Sequence, residues 1–309
     1  MHPEAKANEM KPDKSFRVWW MLLRPHTLTA AFVPVTVGTL LAVLEGSFHA
    51  GLFGAMLLAS ILIQAATNMF NEYFDYKRGL DTAESVGIGG AIVRSGVQPK
   101  IVLNLGFIFF GFATLLGVYI CLLSSWWIAV IGIVCMLAGY FYTGGPIPVA
   151  YTPFGEVMSG FFMGVVIVGI SFFIQTKTIT ASVIWHSLPI AITIGAILLA
   201  NNIRDLDGDE KNGRKTLAII VGRKKAIYIL AIMFTLSYAF VFWMIFSGYS
   251  TWWSLLVLFS VPKAYSAVKQ FIGKSKPIEM MPAMKATAET NTQFGLLLSV
   301  GLFLQFLFI

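Results

Sequence analysis

Long apolar stretches alternate with short polar ones along this chain, and the apolar stretches are of one size. Runs of roughly 20 residues, the length of helix needed to cross a bilayer, lie at 28–44, 51–73, 101–123, 126–143, 154–175, 182–204, 225–247, 251–271 and 291–309. Unpaired backbone cannot face lipid, and runs this long do not alternate as the strands of an outer-membrane barrel do, so each run predicts a helix. The expected fold class is all-α: a polytopic membrane bundle of nine transmembrane helices. Residues 1–27 form an N-terminal polar segment and 28–309 one transmembrane domain. The first run is full length and no small-residue cleavage site closes it, so it reads as a span and not as a cleaved signal.

Composition agrees: 57% of residues are hydrophobic and 12% charged, which excludes an ordinary soluble domain. The net charge of +7 raises the question of nucleic acid, and its distribution answers it. Of 22 Lys and Arg, five lie at or before Arg24, four in the segment after the second helix, seven after the sixth and five around the eighth, with Lys177 left over. Basic residues collect on the cytoplasmic side, so the N-terminus and the even-numbered loops are expected there and the C-terminus outside, in a multi-pass protein of the cell membrane.

The acidic residues are placed unevenly. Eight of the fifteen fall between Glu72 and Glu84 or between Asp205 and Glu210, at the ends of the second and sixth apolar runs. Helical spacing puts Asn68, Asn71 and Asp75 on one face, and Asn202, Asp205 and Asp209 on another. Two such stripes facing each other supply the oxygen ligands a hard divalent cation takes, Mg2+ above all, with substrate phosphate completing the shell. Carboxylates near hydrocarbon are costly unless paired, which argues against a merely solvated charge run. The matching stripes, four helices apart, also suggest a diverged internal duplication.

The neighbouring segments fit such a site. Residues 77–100, with Gly79, Gly87, Gly89, Gly90 and Gly96 beside Lys77, Arg78 and Arg94, and residues 206–225, with Lys211, Arg214, Lys215, Arg223, Lys224 and Lys225, read as lid loops over phosphate. The spacing Gly87-Ile-Gly89-Gly90 matches neither familiar nucleotide loop. Arg24 stands before Pro25 at the entry to the first helix, where snorkelling to headgroups also explains it. Tyr142-Thr-Gly-Gly-Pro-Ile-Pro148 makes a turn into the fifth helix, and the helix dipole accounts for Glu156 just inside it. Phe70, Tyr73, Phe74, Tyr140 and Tyr142 suit an interfacial belt or a wall that stabilises a cation. Cys121 and Cys135 read as small hydrophobes.

Two oxygen cages under basic loops, above an apolar bundle, suit an amphiphile with a diphosphate head. With the motifs Asn71-x3-Asp75 extended to Asp81, and Asp205-x3-Asp209, the chain resembles the UbiA superfamily of intramembrane aromatic prenyltransferases over nearly its whole length. The runs at 71–81, 87–96 and 142–148 make it most similar to members that prenylate 1,4-dihydroxy-2-naphthoate in menaquinone synthesis.

The resemblance implies that Asn71, Asp75, Asp205 and Asp209 carry the chemistry by binding Mg2+, with Asp81 a further ligand. It also implies substrate contacts from Arg24, Asn68, Tyr73, Arg94, Tyr142 and Lys215. The partners would be a prenyl diphosphate, an aromatic acid acceptor and membrane lipid. Relatives that act on 4-hydroxybenzoate often carry Tyr-x3-Lys where this chain has Tyr142 and Pro146, which disfavours that acceptor. Asp207, Glu72, Glu84 and Glu210 read as solvated charge beside the site. A divalent-cation transporter, the rival reading, would carry acids to the membrane midplane on several helices, whereas here they stop at helix ends.

Overall fold

The computed structural model describes residues 15–81 and 90–308, apart from the side chain of His26. Among the described residues every regular element is helical. Helix α1 (Phe16–Leu22) precedes α2 (Thr29–Leu44), α3 (Ala50–Lys77), the short α4 (Ala91–Ser95), α5 (Pro99–Leu123) and α6 (Trp127–Thr143). Then come α7 (Gly155–Thr176), α8 (Ala181–Lys211), the short α9 (Leu217–Val221), α10 (Arg223–Phe246), α11 (Val261–Phe271) and α12 (Pro277–Phe308). A π-helical stretch, Gly160–Val166, lies within α7, and a 3-10 stretch, Trp252–Ser260, leads into α11.

All nine predicted runs are helical. Helices α3, α5, α7, α8, α10 and α12 are each long and apolar enough to cross a membrane, α2 and α6 are shorter apolar helices, and the eighth run is divided between the 3-10 stretch and α11. The protein is an integral membrane protein of the all-α class. The helices outrun their apolar segments at one end. Helix α3 continues to Lys77 and α8 to Lys211, so both acidic clusters begin on helices and not in loops. Helix α12 starts at Pro277, well before the apolar run at 291, because Met280, Ala283, Met284 and Ala286 are buried with Phe271 and Leu230 while Lys285 faces out.

Two of the four apolar clusters among the described residues frame the two halves of the bundle. Val33, Val37, Phe172, Ile194, Met244 and Phe294 join α2, α7, α8, α10 and α12, while Val35, Met56, Ile120, Ile128 and Ile170 join α2, α3, α5, α6 and α7. Lipid offers no apolar driving force of its own, so close backbone approach and satisfied polar groups hold such bundles together. The seam between α7 and α8 uses the first: a Cβ on Gly164 would stand 2.4 Å from Ala191 Cα. The second appears where Thr193 donates to Asn291 at 2.9 Å, linking α8 to α12. Helices α3 and α8 sit in different halves of this packing, and the space between them is the site.

Candidate active site

A cavity of about 420 Å³ lies between α3 and α8. Asn68, Asn71 and Asp75 line it from α3, and Asn201, Asn202, Asp205 and Asp209 from α8, so both predicted stripes face one space. Below them the lining turns apolar, with Met56, Ile120, Ile128, Met163 and Ile170, and it includes both free cysteines, Cys121 and Cys135. Trp126, Val118 and Ile133 line the cavity and are also exposed on the bundle's flank, so its apolar end reaches the surface that lipid would cover.

Arg214 joins the two acidic stripes. Its Nη2 donates to Asp75 Oδ1 at 2.8 Å and its Nη1 to Asp209 Oδ1 at 3.1 Å, and its guanidinium lies 5.2 Å from the centre of the Tyr151 ring. Burial works against its charge, yet the Asp75 and Asp209 carboxylates outweigh burial and hold Arg214 above its ordinary value. On α8, Arg204 forks onto Asp205 with contacts of 2.7 and 2.5 Å. Asp81, beyond the end of α3, is pushed up to about 7 by burial and then by the Asp75 and Glu72 carboxylates.

Asn71 Oδ1 accepts from the Thr143 hydroxyl at 2.7 Å, which fixes that amide against α6. Asn68 is buried, and its Nδ2 donates to Leu23 O at 2.9 Å and to Thr27 Oγ1 at 3.0 Å, so it ties the N-terminal segment to α3. Arg24 lines the cavity from that segment. It has a left-handed backbone (φ 51, ψ 66) immediately before Pro25, where the extended region is the ordinary choice. A non-glycine residue in the left-handed region is strained, and such strain gathers at functional sites. Arg24 Nη2 reaches Glu72 Oε2 at 3.5 Å, while its buried Nε finds no partner among the described residues.

Several sequence-predicted residues stand apart. Tyr142 lines the cavity, but Tyr73 does not: two positions from Asn71 and from Asp75, it points away from their face and packs on Phe74. Arg94 is exposed on α4 and lines a separate small cavity with Arg17. Lys215 is exposed, and its backbone N–H donates to Tyr151 O; the side chain that enters the cavity is its neighbour Arg214. Phe70, Phe74 and Tyr140 pack edge to face on one another and on Phe107, so this part of the aromatic cluster is core and not cavity wall.

Glu72 is not solvated charge. It is buried, and its Oε1 accepts from the backbone N–H of Gly90 at 2.7 Å and of Ile92 at 3.3 Å, pinning α4. Asp207 is exposed, as expected, and pairs with Arg223. Glu84, Gly87 and Gly89 lie outside the described residues. Sequence reasoning singled out neither Arg214 nor Arg204. A basic loop run does not say which of two neighbours faces inward, and Arg204 counted only towards the charge of the loop after the sixth helix.

Among the described residues no group of three or more His, Cys, Asp and Glu side chains is gathered as a ready metal centre. The donor set nevertheless fits a hard cation: two carboxylates from α8, one from α3 and the Asn71 amide oxygen face one space. Arg214 balances the charge of two of them, which a divalent cation between the stripes would do equally well.

A helical bundle that encloses a cavity with acids and arginines at one end and hydrocarbon at the other is built for an amphiphile with an anionic head. The UbiA prenyltransferase family model matches residues 31–306, and the chain belongs to that family. It is similar to the 1,4-dihydroxy-2-naphthoate octaprenyltransferase of Bacillus subtilis, at 56% identity over 94% of this chain and 93% of the relative. Among solved structures it resembles the apo UbiA homologue of Aeropyrum pernix, with a TM-score of 0.65 at 13% identity over 94% and 99% of the two chains. It also resembles the UbiA homologue of Archaeoglobus fulgidus bound to GPP and Mg2+, with a TM-score of 0.62 at 15% identity over 91% and 99%.

Proposed function

We propose that the protein transfers a polyprenyl group from a prenyl diphosphate to 1,4-dihydroxy-2-naphthoate, giving demethylmenaquinol with loss of CO2 and diphosphate. The observation that carries this reading is the meeting of Asn71, Asp75, Asp205 and Asp209 on one cavity that is apolar below them. The 56% identity to a naphthoate prenyltransferase supports the acceptor.

Asn71, Asp75, Asp205 and Asp209 would hold Mg2+, with Asp81, which is outside the cavity lining but close enough to feel the Asp75 carboxylate, as a further ligand, and the cation would supply charge neutralisation of the diphosphate leaving group. The chain's own residues do the rest. Arg214 stands between the acidic stripes and contacts the diphosphate, the role expected of its neighbour Lys215. Arg24, inside the cavity with an Nε that has no partner among the described residues, meets the acceptor carboxylate; Arg94 lines a separate cavity and is not part of this lining. The apolar wall holds the first part of the prenyl chain, and the dry surroundings keep water from capturing the allylic cation. The naphthoate ring then forms the new bond at its carboxylate-bearing carbon, and the carboxylate leaves as CO2. The acidic end faces the cytoplasm of the cell membrane, as the basic segments around it indicate.

The test uses membranes containing the protein, a prenyl diphosphate, Mg2+ and carboxyl-labelled dihydroxynaphthoate, with and without EDTA. Mg2+-dependent release of labelled CO2 is the expected result. No release would sink the assignment, and prenylation of 4-hydroxybenzoate in its place would redirect the acceptor.

A further inference from the structure

Glu156 opens α7 and is buried, with 5% of its surface exposed. Its Oε1 accepts from Asn202 Nδ2 at 2.9 Å, and its Oε2 is buried with no hydrogen-bond partner among the described residues. A favourable place at a helix N-terminus explains an exposed carboxylate, but not one turned inward against α8. The backbone fixes it there: a Cβ on Gly195 would lie 3.0 Å from Glu156 O, so α8 keeps a glycine where α7 begins. Asn202 lines the cavity on the face it shares with Asp205 and Asp209, whereas Glu156 stands behind it.

Glu156 Oε1 is the acceptor in this contact, so it binds the NH2 end of the Asn202 amide and not the carbonyl end. That contact decides which way the amide is turned. With Nδ2 committed to Glu156, Oδ1 is the polar atom left for the cavity, where the neighbouring groups are oxygen donors suited to a cation. We propose that Glu156 is a positioning residue that locks the Asn202 amide with its oxygen towards the cation and diphosphate, adding a neutral ligand to the second acidic stripe. The proposal rests on the reading that this stripe holds Mg2+.

The experiment measures the Mg2+ concentration for half-maximal prenyl transfer, and the rise in melting temperature of the purified protein on adding Mg2+ alone. Glu156→Ala is expected to raise the Mg2+ requirement about tenfold and to shrink the thermal shift, the scale on which partners behind metal ligands act. The KM for the aromatic acceptor should stay unchanged. Glu156→Gln, whose amide oxygen can accept the same N–H bond, should stay within about threefold of wild type. Asn202→Ala should match Glu156→Ala, and the double variant should be no worse than either single one.

A wild-type Mg2+ requirement in Glu156→Ala overturns the proposal. So does Glu156→Gln as impaired as Glu156→Ala, which would assign the effect to the charge of the carboxyl group and not to its hydrogen bond with Asn202. Should Glu156→Ala fail to fold, Asn202→Ala decides: an unchanged Mg2+ requirement there is equally fatal. Asp209→Ala separates this idea from the reading beneath it, since full activity in that variant would remove the metal site itself.

Discussion

Arg214 Nη2 stands 2.8 Å from Asp75 Oδ1, a salt bridge between a loop guanidinium and a helix carboxylate 139 positions earlier in the chain. Its other terminal nitrogen reaches Asp209, so one side chain neutralises an acid from each half of the bundle. Removing a buried partner leaves uncompensated charge, at a cost of about 3–5 kcal/mol. Arg214→Ala should therefore lower the melting temperature of the metal-free protein in detergent, and added Mg2+ should recover part of the loss by taking over the charge balance. Arg214→Lys should recover little, because an ammonium cannot fork onto two carboxylates. Equal destabilisation with and without Mg2+ would show that Arg214 does not share its place with the cation.

Asp75→Ala and Asp209→Ala each remove a carboxylate from one of the two facing stripes. Turnover should fall by about a hundredfold or more, the usual scale for losing a group that stabilises transition-state charge. Labelled CO2 release, normalised to the protein retained in the membrane fraction, measures the effect. Near-normal release from either variant would take that residue out of the site.

The two acidic stripes were legible in the sequence because helical spacing alone decides which polar residues share a face, and the resemblance to a known family then picked Asn71, Asp75, Asp205 and Asp209 out of them. The helical bundle was legible because hydrocarbon demands long apolar runs, six of which form helices long enough to cross a membrane among the described residues. Residues whose role depends on tertiary approach were not. Lys215 and Arg214 are neighbours in one basic loop, and only the folded turn sends the second inward. Tyr73 belongs to an aromatic-rich stretch but lies on the wrong face of α3. Glu72 looks like surplus acid until α4 folds back and lays its first N–H groups on it. The start of α12 was misplaced because a helix can leave the membrane without ending.

Glu72 makes that last kind of contact measurable. Its Oε1 takes two backbone N–H groups at Gly90 and Ile92, and its Oε2 faces Arg24. Truncation would leave buried donors unsatisfied, at about 1–3 kcal/mol each. Glu72→Ala should free α4 and make the 90–95 segment open to limited proteolysis, with a fall in melting temperature. Glu72→Asp, one methylene shorter, should fall between the two. Unchanged proteolysis in Glu72→Ala would mean that α4 is held by its apolar residues Ala91 and Ile92 alone.

Arg24 and Arg94 can be told apart by which substrate each variant fails to bind. Arg24 lines the cavity in a strained left-handed conformation, whereas Arg94 sits exposed on α4 beside Arg17. A guanidinium that pairs with a carboxylate contributes about 1.5–3 kcal/mol through its charged hydrogen bonds. Arg24→Ala should accordingly raise the KM for dihydroxynaphthoate by at least about tenfold and leave the KM for prenyl diphosphate within about twofold. Arg94→Ala should move neither by more than about twofold. An acceptor lacking its carboxylate gives the cross-check, since its poor binding should be equally poor in wild type and Arg24→Ala. A rise in the prenyl diphosphate KM of Arg24→Ala, with the acceptor KM unmoved, would place Arg24 on the diphosphate and leave the acceptor carboxylate to another group.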